Sequence, residues 1–359
     1  MRFTAPFVFV ALLVGPATLT AQENVLPPEK AKAALLKALE RPEVAADVRE
    51  DAKPVVASKR AVSRWSFASE KKADGTVERV PVLMAIPAGA KGKLPVMIVL
   101  HGTGGNKEGM QSWLDAFADR GVIGVAIDAR YHGGRANAGK GSTAYVDSVT
   151  TAWRSPADRP MEHPFYYDTV WDLWRLLDVL EKHEAVDAKH IGMLGVSMGG
   201  IQTWLAASAD DRVSVAAPLI AVQSFRWSLE NDRWQGRANT IKAAHEAAAK
   251  DLGEPAVNRR VCREVWSKVI PGILGDFDCP NLLPLFAAGS PRALFIANGD
   301  ADPNCPVEGA RIAIAAAEAA YKKAGASDRL VVRVNAGVAH KVTDEDQNAA
   351  IEFALKWLK

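Results

Sequence analysis

The run Gly195-Val196-Ser197-Met198-Gly199-Gly200 sets a serine in the pattern G-x-S-x-G, between the apolar stretch Ile191 to Val196 and the small, apolar stretch Met198 to Ala209. Read as strand, turn and helix, this spacing has a chemical use. Glycine two residues to either side lets the chain reverse so sharply that the serine hydroxyl stands clear above a helix N-terminus. The Met198 amide, the first of that helix, then points where negative charge develops on a carbonyl oxygen under attack. Small residues at such a turn also serve packing, so the partners must decide between the two readings.

A serine of ordinary pKa needs a base to take its proton and a group to orient that base. Seven histidines compete. His183 and His190 lie before the elbow strand, at the wrong edge of a sheet. His163 precedes a helix, and His245 sits in an Ala-rich segment. His101 and His132 each fall in a glycine-rich turn that suggests backbone support. His340, in Gly337-Val338-Ala339-His340, follows a strand ending near Asn335 and precedes the last helix, so it can reach the edge where Ser197 stands. The orienting acid should come between the two in the order Ser, acid, His. Asn298-Gly299-Asp300-Ala301-Asp302-Pro303-Asn304-Cys305-Pro306 offers two aspartates. Asp302, at the far side of the turn with Pro306 opening the next helix, is the expected acid. Asp300 is expected to bond local N–H groups. Asp276 and Asp278 do not follow a core strand. A second oxyanion donor should follow an earlier strand, and the Thr103 amide of Leu100-His101-Gly102-Thr103-Gly104-Gly105 is placed for it.

The elements that must hold these residues are legible as an alternation. Ala61 to Ala68 and Val77 to Ile86 have strand character, and Leu94 to Leu100 is a continuous apolar run suited to a strand buried on both faces. Strands are then expected at 121–127, 191–196, 212–219, 293–297 and 330–335, and helices at 167–182, 198–209, 307–323 and 343–358. Such alternation predicts a mostly parallel central sheet with helices on both faces, which presents its chemistry at the carboxyl ends of the strands. Two stretches break the rhythm. Residues 133–163 read as a long connection, and residues 223–290 as an insertion between the sixth and seventh core strands, with its own helices near 240–252 and 257–270 and the length of a small cap.

The chain has 359 residues, 48% hydrophobic and 24% charged, with a net charge of +2. That balance disfavours disorder and a broad nucleic-acid surface. Residues 1–21 combine Arg2, the apolar run Phe7 to Val14 and small residues at Ala17 to Ala21. The run is too short to span a bilayer, which needs about 20 apolar residues. The pattern is that of a secretory signal peptide and predicts a secreted or periplasmic protein without stable membrane insertion. Residues 22–59 read as a helical lead-in, and 60–359 as the catalytic domain. In an oxidising compartment Cys262 and Cys279 could pair, leaving Cys305 free. No phosphate- or dinucleotide-binding glycine motif follows a strand and no metal motif is present, so neither cofactor nor metal is expected.

The ordered motifs LHGTGG, DARYHGGR, GVSMGG, NGDADPNCP and GVAH resemble those of the α/β-hydrolase fold family over roughly residues 60–359. Within it the chain is similar to the branch of dienelactone hydrolases, acetyl xylan esterases and prolyl oligopeptidase catalytic domains. In that branch the stretch matching Asp128 to Gly134 shapes the pocket wall and the oxyanion loop. Dienelactone hydrolases use a cysteine nucleophile, whereas position 197 is serine. The resemblance and the residues together predict a serine esterase with Ser197 as nucleophile, His340 as base, Asp302 as orienting acid and the Thr103 and Met198 amides as oxyanion hole. Its substrate would be a small-molecule or oligosaccharide ester. Trp153, Trp227 and Trp234, in the irregular stretches, could stack on sugar rings or cover their own loops. A prolyl oligopeptidase-type peptidase and a non-catalytic binding protein on this fold are the competing readings. The latter would be expected to lack a triad member.

Overall fold

The computed structural model describes residues 26–56, 59–136, 141–156 and 162–358. The expected signal peptide lies outside them. Among the described residues no helix is long and apolar enough to cross a membrane.

The chain opens with α1 (Pro28–Leu39), followed by β1 (Arg49–Val56), β2 (Arg60–Lys71), β3 (Val77–Pro87) and β4 (Leu94–Leu100). Then come α2 (Gln111–Ala118), β5 (Ile123–Ile127), α3 (Thr143–Arg154), α4 (Tyr167–Lys182), β6 (Val186–Val196), α5 (Met198–Ala209) and β7 (Val213–Leu219). The insertion folds as α6 (Phe225–Glu230), α7 (Gln235–Asn239), α8 (Lys242–Asp251), α9 (Arg259–Val269) and α10 (Cys279–Leu282). The chain finishes with β8 (Ala293–Gly299), α11 (Val307–Lys323), β9 (Leu330–Asn335) and α12 (Asp344–Leu358).

The nine strands form one sheet in the order β1-β2-β3-β5-β4-β6-β7-β8-β9. The pairs from β1 to β5 through β2 and β3 are antiparallel, and every later pair is parallel. The expected mostly parallel sheet is thus present. β4 shows why its sequence is unbroken: Val96, Ile98 and Leu100 face one core with α4 and α5, while Met97 and Val99 face the other with α2 and α12. A strand covered on both faces must be apolar at every position.

Three expectations need correction. Of the helical lead-in expected at 22–59, the described residues are helical only at Pro28–Leu39, and Arg49–Val56 forms β1, which adds to the sheet by pairing with β2. All eight of its residues are exposed, so no buried face imposed an alternating pattern on them. Second, the stretch 133–163 is not simply a long connection. It contains α3, which buries Tyr145, Val149 and Ala152 at helical spacing against the insertion. Third, Cys262 and Cys279 do not pair; all three thiols are free and buried. Helix α2, which buries Trp113, Leu114, Phe117 and Ala118, was also not foreseen.

Candidate active site

The elbow is as tight as its glycines suggest. Ser197 sits at φ 54°, ψ −111°, a conformation costly for a residue with a side chain, and its amide donates to the Leu219 carbonyl on β7 at 2.9 Å. A Cβ at Gly195 would run into the Gly199 backbone, and one at Gly199 would meet the Leu100 and His101 carbonyls at under 3 Å. Strands β4 and β6 and the start of α5 therefore close on one another only because these positions lack side chains.

Ser197 Oγ lies 2.7 Å from His340 Nε2, and His340 Nδ1 lies 2.7 Å from Asp302 Oδ2. With the proton assigned to Nδ1, that nitrogen donates to Asp302, and Nε2 is left to accept from the serine hydroxyl. The other Asp302 oxygen accepts the Asn304 and Cys305 amides at 2.8 and 3.2 Å, and the residue is 2% exposed. The turn carrying the acid and the loop carrying the base are stitched together. Asp300 N donates to Asn335 O and Ala301 N to Val338 O, both at 3.0 Å, while Asp300 Oδ1 accepts Gly337 N at 2.7 Å. Asp300 thus holds the histidine loop, leaving Asp302 to face the ring.

On the oxyanion side, Gly105 N donates to Gly102 O at 3.0 Å, closing a turn with Thr103 and Gly104 at its centre. Among the described residues no backbone acceptor is bonded to the Thr103 amide, and Gly102 packs over the serine, its Cβ position 3.6 Å from Ser197 Cβ. The Met198 amide opens α5, where helix geometry supplies no intrahelical acceptor.

His101 and His132 are supports. His101 Nδ1 donates to Gly102 O at 2.8 Å, and its Nε2 accepts from Ala129 N at 3.1 Å. Burial lowers its pKa, so the ring stays neutral with a fixed tautomer. The His132 ring packs at a tilt between those of His101 and Tyr145, and burial takes its pKa down to about 4. The family resemblance points to the Asp128 to Gly134 stretch as shaping the oxyanion loop; sequence reasoning missed Lys107 and the contacts by which Asp128 holds that loop. Asp128 accepts from Lys107 N at 2.8 Å, Lys107 Nζ at 2.7 Å and Gly134 N at 2.9 Å. The loop is thereby pinned to the end of β5. Asp128 was visible in the DARYHGGR motif, but nothing in the sequence linked it to Lys107. Behind it, Arg130 is 1% exposed and binds Asp172 through two nitrogens at 2.7 and 2.9 Å and Glu70 at 2.9 Å.

The three tryptophans make their contacts elsewhere. Trp153 donates to Asp251 at 3.1 Å and lies under Lys268, joining α3 to the insertion. Trp227 packs on Gly309 at the start of α11. Trp234 lines a groove of about 660 Å³ with His245 on the insertion. Asp278 is no catalytic acid: it is buried, accepts Ser224 Oγ and the Phe225, Arg226 and Cys279 amides, and burial pushes it up to about 6. Ligand atoms of Asp302, Cys305 and His340 lie within 4.8 Å of one another. Two of these side chains are already hydrogen-bonded to each other, and the third carries a guanidinium contact, which is poor company for a metal cation.

The mostly parallel sheet, with a strained serine after β6 in line with a histidine after β9 and an acid after β8, has the architecture of the α/β-hydrolase fold. Comparison with known proteins narrows the likeness. The family model described as Acetyl xylan esterase (AXE1) matches residues 66–226, a span with the oxyanion loop and the elbow but neither Asp302 nor His340. The YtaP protein of Bacillus subtilis (strain 168) is 23% identical over 295 residues, 78% of this chain and 84% of its own. Acetyl xylan esterase 1 from Thermoanaerobacterium sp. JW/SL YS485 superposes with a TM-score of 0.64 at 19% identity, over 93% of this chain and 95% of that one. A glucuronoyl esterase from Solibacter usitatus gives 0.60 at 16% identity, over 92% of each chain. These likenesses establish the fold, and the chain resembles the acetyl xylan esterase branch within it.

Proposed function

We propose that the protein is an exported serine esterase that deacylates hydroxyl-rich, carbohydrate-like esters. Ser197 Oγ attacks the ester carbonyl carbon while His340 Nε2 takes the hydroxyl proton. The negative charge on the carbonyl oxygen is met by the Thr103 and Met198 amides. Collapse breaks the ester C–O bond, and His340 returns the proton to the leaving alcohol. A water, activated by the same histidine, then hydrolyses the acyl-enzyme to the free acid and Ser197. Asp302 keeps the Nδ1 proton in place throughout. The observation that carries the reading is the unbroken pair of 2.7 Å contacts from Ser197 through His340 to Asp302. The esterase choice draws on the family match at 66–226. The substrate class draws on the groove of about 400 Å³ beside the oxyanion loop, whose walls include five glycines (104, 105, 133, 134 and 141) together with the polar side chains of Asn106, Lys107 and Glu108. Backbone walls offer N–H and C=O groups to hydroxyls in place of apolar bulk. Export draws on the signal-peptide pattern of residues 1–21, and N-terminal sequencing of the protein from its native host tests it.

The enzymatic test compares p-nitrophenyl acetate, acetylated xylo-oligosaccharides and peptide anilides, with fluorophosphonate labelling read by intact mass. Turnover of the two esters, and labelling lost in Ser197→Ala, is the expected result. Labelling that persists in Ser197→Ala would remove the nucleophile. Faster cleavage of anilides than of either ester would favour the peptidase reading.

A further inference from the structure

We propose that Arg237, delivered into the interior by the insertion, is the positive counter-charge of the triad acid and a positioning residue for the esterase reaction. The inference rests on the reading just given. It also makes the insertion a structural part of the active site.

Helix α7 reaches the acid turn directly: a Cβ at Gly236 would run into the Pro303 carbonyl and lie 2.9 Å from Asn304 N. The next side chain, Arg237, is 2% exposed. Its guanidinium donates to Asn304 O at 3.1 Å and to Cys305 Sγ at 3.2 Å. Gln223, with its amide oxygen turned toward the guanidinium, accepts from Nη2 and Nε at 3.1 and 3.0 Å and donates to Asn304 O at 2.8 Å. Tyr166 Oη is 3.5 Å away, and the Phe225 ring lies 5.8 Å from the guanidinium carbon. None of these partners is a carboxylate. A buried cation without an anion is costly, so the nearest negative group matters.

That group is Asp302. The two residues whose carbonyl and thiol receive Arg237, Asn304 and Cys305, are the two whose amides donate to Asp302 Oδ1. Guanidinium and carboxylate thus sit on opposite sides of one short turn. Burial opposes the charge on Arg237, and Tyr166, Cys305 and Asp302 outweigh it. Of those three, burial pushes the phenol and the thiol each up to about 12, so both are neutral at pH 7. Asp302 is the one carboxylate among them. Asp302 faces His340, the Cys305 thiol lies within 4.8 Å of a ring nitrogen, and Asp300 and Lys341 sit on the loops beside it. Cys279, near Cys305, is also held neutral by burial.

The consequence falls on the base. Asp302 without a counter-charge would stabilise the imidazolium strongly and leave less neutral base near neutrality. A cation behind the acid offsets this. Arg237 Nη2 is 3.2 Å from Cys305 Sγ, which lies within 4.8 Å of a His340 ring nitrogen; a unit charge at no more than about 8 Å, at an effective dielectric of ~20, moves a titration by about one to two units.

The test is the pH dependence of kcat/KM for p-nitrophenyl acetate in wild type, Arg237→Lys, Arg237→Met and Arg237→Gln. In the Met and Gln variants the acid limb is expected to move up by about one unit, with kcat reduced more than KM is raised. Arg237→Lys keeps the charge and is expected to hold the limb near its wild-type position at reduced kcat. A thermal-stability cycle of Asp302→Asn, Arg237→Met and the double variant is expected to be non-additive, because each single change strands the other charge. An unmoved limb in folded Met and Gln variants, or an additive cycle, overturns the proposal and leaves Arg237 a brace. If neither neutral variant folds, a limb moved by about a unit in Arg237→Lys overturns it equally, and an unmoved one supports it. A wild type inert to ester and fluorophosphonate would instead overturn the esterase reading.

Discussion

Alanine at position 195 should disable the elbow without changing the identity of any residue of the Ser197, His340 and Asp302 line. The added methyl would fall far inside contact distance of the Gly199 carbonyl and lie 2.7 Å from the Gly200 nitrogen. Favourable separations between carbon atoms are about 3.5–4.0 Å. The obstructing atoms are all backbone, and Gly199 has no room to retreat, because the Leu100 and His101 carbonyls lie close behind it. The turn must therefore open by roughly 1 Å, carrying Ser197 Oγ out of the 2.7 Å contact with His340. A misplacement of about 1 Å costs on the order of 10²-fold in rate. Overpacking of this kind adds a stability loss of ~1–3 kcal/mol. The assay is kcat/KM on p-nitrophenyl acetate, with the fluorophosphonate labelling rate and chemical unfolding measured on the same samples. Gly275→Ala is the control: the nearest atom to its Cβ position is 3.9 Å away, and it should behave as wild type. A Gly195→Ala enzyme within about threefold of wild type in both kcat/KM and labelling rate would refute the steric argument.

Asp302→Asn should lower kcat by roughly 10⁴ while changing KM little, because the amide cannot hold the Nδ1 proton of His340, and steady-state kinetics checks it. Arg130→Met should cost about 3–5 kcal/mol in urea unfolding, because Asp172, fully buried, would keep only Arg135 of its two arginine partners. Stability should also fall on acidification below the ordinary histidine range. Burial takes His132 and His245 down to about 4, so the unfolded chain binds their protons first. Their contribution is complete above pH ~6.5 and is lost as the pH falls toward ~4, on the order of 3 kcal/mol for each. Unfolding midpoints at pH 7, 5.5 and 4.5 test this. A flat profile, or a His245→Phe variant as acid-sensitive as wild type, would contradict it.

The site was legible wherever a backbone requirement writes itself into neighbouring residues. The elbow needs glycine at 195 and 199, so G-x-S-x-G is visible in six residues. Chain order then led to the Asp302 turn and the His340 loop, because helices and strands of strong periodicity fixed which strand ends they follow. Elements lacking that local signature were misread. β1 is exposed along its whole length and exists through its pairing with β2. Helix α3 buries just three residues, and against helices from the insertion that cannot be foreseen before the fold closes.

The amino-acid sequence by itself determined the strand-turn-helix around Ser197, the order of serine, acid and histidine, and the sheet that carries them, because short-range sterics and hydrophobic period act within a few residues. Tertiary structure alone decided the rest: which side chains support the oxyanion loop, where the tryptophans are spent, and that Arg237 of the insertion lies behind Asp302. Lys107 and Asp128 are 21 residues apart, and Arg237 and Asn304 are 67. Each partner is an ordinary polar residue in its own segment. Its role arises when burial removes water and leaves it one charge or carbonyl to answer.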